Sequence, residues 1–350
     1  MMTAMLKKIL IAATALTSVA SSAALAADKT LYVGMNGGTM EKTYTEHVFP
    51  LFEKETGIKV VVVPGTSTDI LAKMQAQKDA PQMHIAFLDD GLMFRAIGMG
   101  MCAPINQSAT MKQLYPVAQF KDNMAAAVNM GMVGLAYNKK MFEENGWSAP
   151  DSWLALTDPK YKGKVVVQSA PSSSFGLHAF LMFNRTQGGN ESDVEPGFKN
   201  WKPKVGPNVL EYIPSSSKIS EMVQTGEAAI FPLTPTGVGA LKEKGIPVEY
   251  AQPKEGSVVL MVGECVIKNN SEPDLTQKLA EFLLSAPAQE AALQYGSQIP
   301  SNTTAKATKD KEAELRTFQA NMENARLVDW DVINEKRTEW NDRWNREIER

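Results

Sequence analysis

The chain has 350 residues, 44% hydrophobic and 21% charged, with 36 Lys and Arg against 39 Asp and Glu. That length exceeds a comfortable single core and asks for two lobes, while a net charge of −3 provides no basic face for nucleic acid. Two cysteines, Cys102 and Cys265, are too few for a disulfide scaffold or a cysteine-rich metal site.

The first 26 residues carry Lys7 and Lys8, an apolar run from Ile9 to Leu16, and Ala24-Leu25-Ala26. Basic, then apolar, then small-x-small is the order of a secretory signal peptide, with cleavage expected after Ala26. The run is too short for a bilayer span, which needs about 20 residues. Losing the two lysines takes the net charge from −3 to −5. The expected mature chain is therefore soluble, periplasmic and mildly acidic. In an oxidising compartment Cys102 and Cys265 either form one disulfide or stay as two buried thiols, and the sequence leaves both open.

From Leu31 the chain alternates strand and helix. A strand at 31–35 meets the turn Asn36-Gly37-Gly38-Thr39, and a helix follows over 40–57 with Pro50 as a kink and Gly57 as its cap. The continuous apolar run at 58–63 predicts a strand covered on both faces. A helix at 67–78, a strand at 83–88 and a helix opening at Asp89-Asp90 come next. Such alternation implies right-handed βαβ units and a mostly parallel sheet. The pattern loosens over 102–128 and resumes with strands at 130–138, 164–168, 209–213, 228–233, 247–250 and 258–267. Helices are predicted at 175–186, 218–227 and 238–245. After Pro300 the chain reads as polar helix, with Ile333, Trp340, Trp344 and Ile348 on one stripe, a docking face for a lobe.

Enzymatic motifs are poor. No G-x-S-x-G occurs, so a serine hydrolase would have to use one of two Pro-Ser-Ser-Ser corners, at 171–174 and 214–217. His178, the nearest histidine, lies one turn into the same helix as Ser174 and is poorly placed to serve its hydroxyl. Gly98-Met99-Gly100 follows a helix where a nucleotide fingerprint must follow a strand, and Gly237-Val238-Gly239 lacks the third glycine. Met99, Met101, Met130 and Met132 read as core packing rather than copper ligands, because methionine is plentiful throughout. No metal site and no cofactor are assigned.

Binding is better supported. In open α/β sheets ligands lie beyond the carboxyl ends of the strands, against helix N-termini. The residues at those ends are Asn36, Gly38, Thr39, Ser67, Asp89, Asp90, Ser172, Ser173, Ser174, Ser216, Ser217, Thr234 and Thr236. Each alone is a good helix cap, but their recurrence at corner after corner is what a polar ligand cleft produces. Tyr137 and Glu264 complete the candidate set.

Several stretches then carry a resemblance. FEKETGIKV at 52–60, LAYNKKMF at 135–142, APDSWLALTDPKYKGKVVV at 149–167, QTGEAAI at 224–230, PKEGS at 253–257 and EFLLSAPAQE at 281–290 resemble family 1 extracellular solute-binding proteins. The resemblance covers nearly the whole chain and points to the branch holding polyamine, thiamine, iron(III) and aminoalkylphosphonate binders of ABC importers. It implies a type II periplasmic-binding-protein fold of α/β class, two lobes with mostly parallel sheets flanked by helices, and two hinge crossings near Tyr137 and near 259–263. Lobe one would hold 27–136 and 262–305, and lobe two 137–261 and 306–350. It further implies a monomer that closes on a small molecule and delivers it to a membrane permease. Polyamine binders of this kind carry a Trp and an Asp shortly after the PKEG turn, where this chain has Met261 and Gly263. The sequence therefore favours a small zwitterion, its anionic end at the two serine corners of lobe two and its ammonium at Asp89 and Asp90, over a long polyamine.

Overall fold

In a computed structural model that describes residues 29–350, strands and helices alternate from the first strand onward; the signal peptide read at 1–26 lies outside those residues. The strands, in chain order, are β1 (Thr30–Met35), β2 (Lys59–Pro64), β3 (Ile85–Asp89), β4 (Cys102–Ala103), β5 (Ala126–Met132), β6 (Gly134–Asn138), β7 (Val165–Gln168), β8 (Val209–Ile213), β9 (Ile230–Leu233), β10 (Val248–Ala251), β11 (Ser257–Ile267) and β12 (Ala325–Arg326). One sheet runs β12-β11-β3-β1-β2, with β4 and β5 also paired to β11, and the other runs β10-β6-β9-β7-β8. The α/β class with helices flanking two sheets is as the sequence implies.

Both sheets are mixed rather than mostly parallel. β1 pairs parallel with β2 and β3, and β7 with β8 and β9, as the alternation predicts. β11, however, runs antiparallel to β3, β4 and β5, and β6 runs antiparallel to β9 and β10. The antiparallel members are the strands that come straight over from the other sheet. They arrive without a crossover helix, so nothing imposes the parallel direction of a βαβ unit.

The crossings also fall elsewhere. The predicted single strand at 130–138 is two strands in different sheets, parted at Val133, so Tyr137 sits inside the second sheet, opposite Ile230 and Glu249. The return lies at 252–256, and 259–263 is already the interior of β11. A third passage follows β12. Helix Glu312–Met322 puts Phe318 into the first core, whereas Trp330, Ile333, Trp340, Trp344 and Ile348 enter the second. Three passages thus replace the two expected, and only the last part of 306–350 packs on the second lobe. Hydrophobicity runs almost unbroken through the first passage, and an apolar run does not say which sheet it will join.

The crossings are pinned locally. Gly134 leaves Tyr250 its place, because a Cβ there would lie 2.4 Å from the Tyr250 hydroxyl on the second lobe's edge strand and force that side chain to shift. Ser152 Oγ donates to Glu255 at 2.5 Å, and Trp153 Nε1 donates to the Gly256 carbonyl at 2.9 Å. Two of the stretches that carried the family resemblance, Pro-x-Ser-Trp and Pro-Lys-Glu-Gly, are therefore bound to each other and brace the return passage. Val165 and Val167 face one core of the second lobe and Val166 the other, the two-residue period of a strand covered on both sides. Cys102 and Cys265 are joined as a disulfide across β4 and β11, a closure over 163 residues. In the chain-entropy account that separation contributes about 5 kcal/mol.

Candidate functional site

The helices that follow β3, β7 and β9 each reach the other lobe or the C-terminal helix, and so approach the place where the two lobes touch. Thr236 Oγ1, in the helix after β9, donates at 2.9 Å to the Ser297 carbonyl of the first lobe. Trp330 lies over Gly91, where a Cβ would fall 2.6 Å from its ring, and also neighbours His178 of the second lobe at 6.0 Å between ring centroids.

On the first lobe, Asn36 is half-buried while Gly38 and Thr39 are exposed at the start of their helix. Ser67 is buried and its hydroxyl accepts from the Asp89 amide at 3.1 Å, so it positions the Asp89 corner. Thr66 is the residue that caps that helix, in a reciprocal capping box with Asp69. The two acids separate in role. Asp90 is fully buried, and its carboxylate accepts from the Gly91 amide at 2.9 Å and the Met261 amide at 3.2 Å, tying the helix to β11. Burial first, and Asp89 second, raise its pKa well above the usual carboxylate range. Asp89 is half-buried, and burial pushes its carboxyl up to about 6 despite the Ser67 hydroxyl. Only Asp89 is left to meet a cation.

Glu264 belongs to the interior of the first lobe. It is fully buried on β11 opposite Phe87 and Ala126, neither carboxyl oxygen has a partner, and desolvation raises it well above the usual range. Alternation on β11 places Glu264 and Gly263 on opposite faces, which the sequence reading of a crossing segment did not use. Tyr137 packs on Phe142 at 4.6 Å in the second lobe, away from any passage.

On the second lobe, Ser173 caps helix Ser174–Thr186, accepting from the Phe175 amide at 3.2 Å and donating to Gln168 Oε1 at 2.6 Å. Ser172 Oγ reaches the Pro214 carbonyl, so the first serine corner holds the second. Ser216 and Ser217 are exposed, in a short turn capped by Ser215. Thr234 is buried and caps its helix by accepting from the Gly237 amide at 3.1 Å.

Four residues here were not anticipated. Gln168 and His178 are buried beside the first serine corner with unpartnered nitrogens, and Trp330 and Arg337 reach the junction from the C-terminal helix. The seven-residue interval between Trp330 and Arg337 puts them on the Ile333–Trp340 stripe, a signal present in the sequence but read only as packing. Among the described residues, no group of three His, Cys, Asp or Glu is placed to hold a metal. The one serine hydroxyl among the described residues that lies within hydrogen-bond distance of a histidine ring is that of Ser271, 3.2 Å from His84 Nε2. His84 Nδ1 accepts from the Tyr32 amide, so a neutral His84 carries its proton on Nε2 and donates to that serine; it is no base for it.

Comparison with known proteins agrees with this architecture. Residues 50–319 match the family model described as bacterial extracellular solute-binding protein. The chain is 24% identical over 267 residues to iron uptake protein A1 of Synechocystis, covering 72% of this chain and 71% of that protein. It is 22% identical over 280 residues to a putative 2-aminoethylphosphonate-binding periplasmic protein of Salmonella paratyphi A, covering 77% and 78%. Among solved structures, an ABC transporter protein from Clostridium perfringens superposes with a TM-score of 0.78 at 21% identity, over 91% of this chain and 99% of that one. The matched span takes in all of the second sheet and β2 to β5 and β11 of the first, and the chain belongs to the bacterial extracellular solute-binding protein family.

Proposed function

We propose that this protein captures a small solute carrying both an ammonium and an anionic group, and delivers it to the permease of an ABC importer without altering it. The observation that carries the reading is the opposite character of the two sides of the junction. The first lobe offers Asp89, half-buried and without a cationic partner among the described residues. The second offers hydroxyls and a helix N-terminus at Ser172–Ser174, a setting that favours an anion. A periplasmic location is part of this reading, supported by the signal-peptide pattern at 1–26 and by a periplasmic protein among the named relatives. The hydrolase alternative loses support because Ser172 and Ser173 donate to Pro214 and Gln168 rather than to a base.

A thermal-shift screen of mature protein against ω-amino acids, aminophosphonates, putrescine, spermidine, thiamine and iron(III) tests this. A zwitterion should raise the melting temperature, with linkage worth about 2.7 kcal/mol at a hundredfold excess over Kd, and should be recovered unchanged. Stabilisation by putrescine or spermidine alone would assign the polyamine alternative instead, and turnover of the stabilising compound would assign an enzyme.

A further inference from the structure

We propose that Arg337 is the cationic anchor for the solute's anionic group, holding an oxyanion head at the first Pro-Ser-Ser-Ser corner; this rests on the doubly charged solute argued above. Arg337 stands on helix Trp330–Arg343 and its Nη2 donates at 2.5 Å to the carbonyl of Ala170, the residue just before Pro171. Among the described residues no carboxylate oxygen lies within 4.0 Å of it; of the other partly buried arginines, Arg185 and Arg343 are each paired with a glutamate, and Arg326, likewise without one, reaches only the carbonyl of its neighbour Ala325. Its side chain is half-buried, and its remaining N–H groups stay accessible. A desolvated guanidinium held by one carbonyl, with the rest of its fork open, is prepared for two-point recognition of an oxyanion.

The surroundings point the same way. Helix Ser174–Thr186 has 13 residues, and its N-terminal amides and dipole end at this corner. Gln168 is only 3% exposed; its Oε1 is engaged by Ser173, yet its Nε2 donor has no partner. A buried amide with half its hydrogen bonding unmet, against the serine of the same corner, marks a place where an acceptor is missing. His178 adds no second charge there, since burial, and then Arg337, hold its ring down to about 3.

The helix also sets a length. Trp330 and Arg337 are seven residues apart, two turns on one face, or about 10 Å. Trp330 rests on Gly91, next to the acidic corner, and Arg337 on Ala170, next to the serine corner. One rigid helix therefore gauges the distance between the two half-sites, and a solute that reaches both carries its charges on a short chain.

The test uses full mature protein, calorimetry and thermal shift, with 2-aminoethylphosphonate, γ-aminobutyrate, methylphosphonate and putrescine as probes. Wild type should bind at least one of the two zwitterions, the phosphonate arm separating a tetrahedral head from a carboxylate. Arg337→Gln should weaken that binding about 10- to 100-fold, the range for one charge-assisted hydrogen bond, and should not weaken putrescine. Arg337→Lys, which keeps charge but not the fork, should fall between. Arg337→Gln binding the zwitterion within twofold of wild type would remove Arg337 from the site and leave the zwitterion reading standing. A general loss of melting temperature with unchanged affinities would do the same. Wild type responding to neither zwitterion would overturn both readings. If Arg337→Gln does not fold, Arg337→Lys decides: a loss of about fivefold or more supports the anchor, and unchanged affinity overturns it.

Discussion

Ser172 Oγ donates to the Pro214 carbonyl at 3.0 Å, so the two Pro-Ser-Ser-Ser corners are in direct contact. The repeated motif thus builds one surface from two strand ends, and its serines differ in what they do. Ser173 is the cap and the partner of Gln168, Ser172 is the link between corners, and Ser216 is exposed.

That division orders the stability of serine variants. Ser173→Ala removes a helix cap and a bond to a buried amide, and should cost about 1–2 kcal/mol. Ser172→Ala removes one bond at an exposed position, where water replaces it, and should cost less than about 1 kcal/mol. Urea denaturation of both variants checks the order; equal losses would mean that Ser173 is not the cap of its helix.

Asp89 gives a pH dependence of definite sign. Its carboxyl titrates near 6 in the folded chain against an ordinary 3.8, so between those values the folded state binds more protons than the unfolded one. Stability from this group is therefore present below about pH 4 and is lost as pH rises through 6. Asp89→Asn removes the penalty, so its melting temperature should rise relative to wild type above pH 6 and match it near pH 4. Melting curves from pH 4 to 8 measure this. A variant less stable than wild type at pH 7.5 would show that Asp89 has a cationic partner.

Gly91 permits the contact between the C-terminal helix and the first lobe. A Cβ there would fall 2.6 Å from the Trp330 ring, whereas at Gly98, in the same helix, nothing lies within 4 Å. Gly91→Ala should destabilise by about 1–3 kcal/mol, the cost of overpacking, and blue- or red-shift tryptophan emission as the ring moves. Gly98→Ala should be neutral or slightly stabilising, because alanine is the better helix former. Similar effects from the two variants would place Trp330 elsewhere.

The elements, the family and the polar corners were legible in the sequence, because each rests on local chemistry. Alternating apolar and amphipathic runs specify strand and helix, and Ser, Thr and Asp at strand ends specify caps. Helix Ser174–Thr186 and the strands at β2 and β7 to β9 were found this way to within a few residues. What the chain order could not reveal was partnership. Val133 and its neighbours are equally apolar whichever sheet they join, so the crossings needed the fold. Glu264 and Asp90 look alike as acids, yet the fold buries one without a partner and gives the other the amides of Gly91 and of Met261 on β11. Arg337 is separated from Ala170 by 167 residues, and only the docking of the last helix brings its charge to the serine corner. Local periodicity decides what each segment is; long-range packing decides which polar groups lose water, and so which of them remain able to bind.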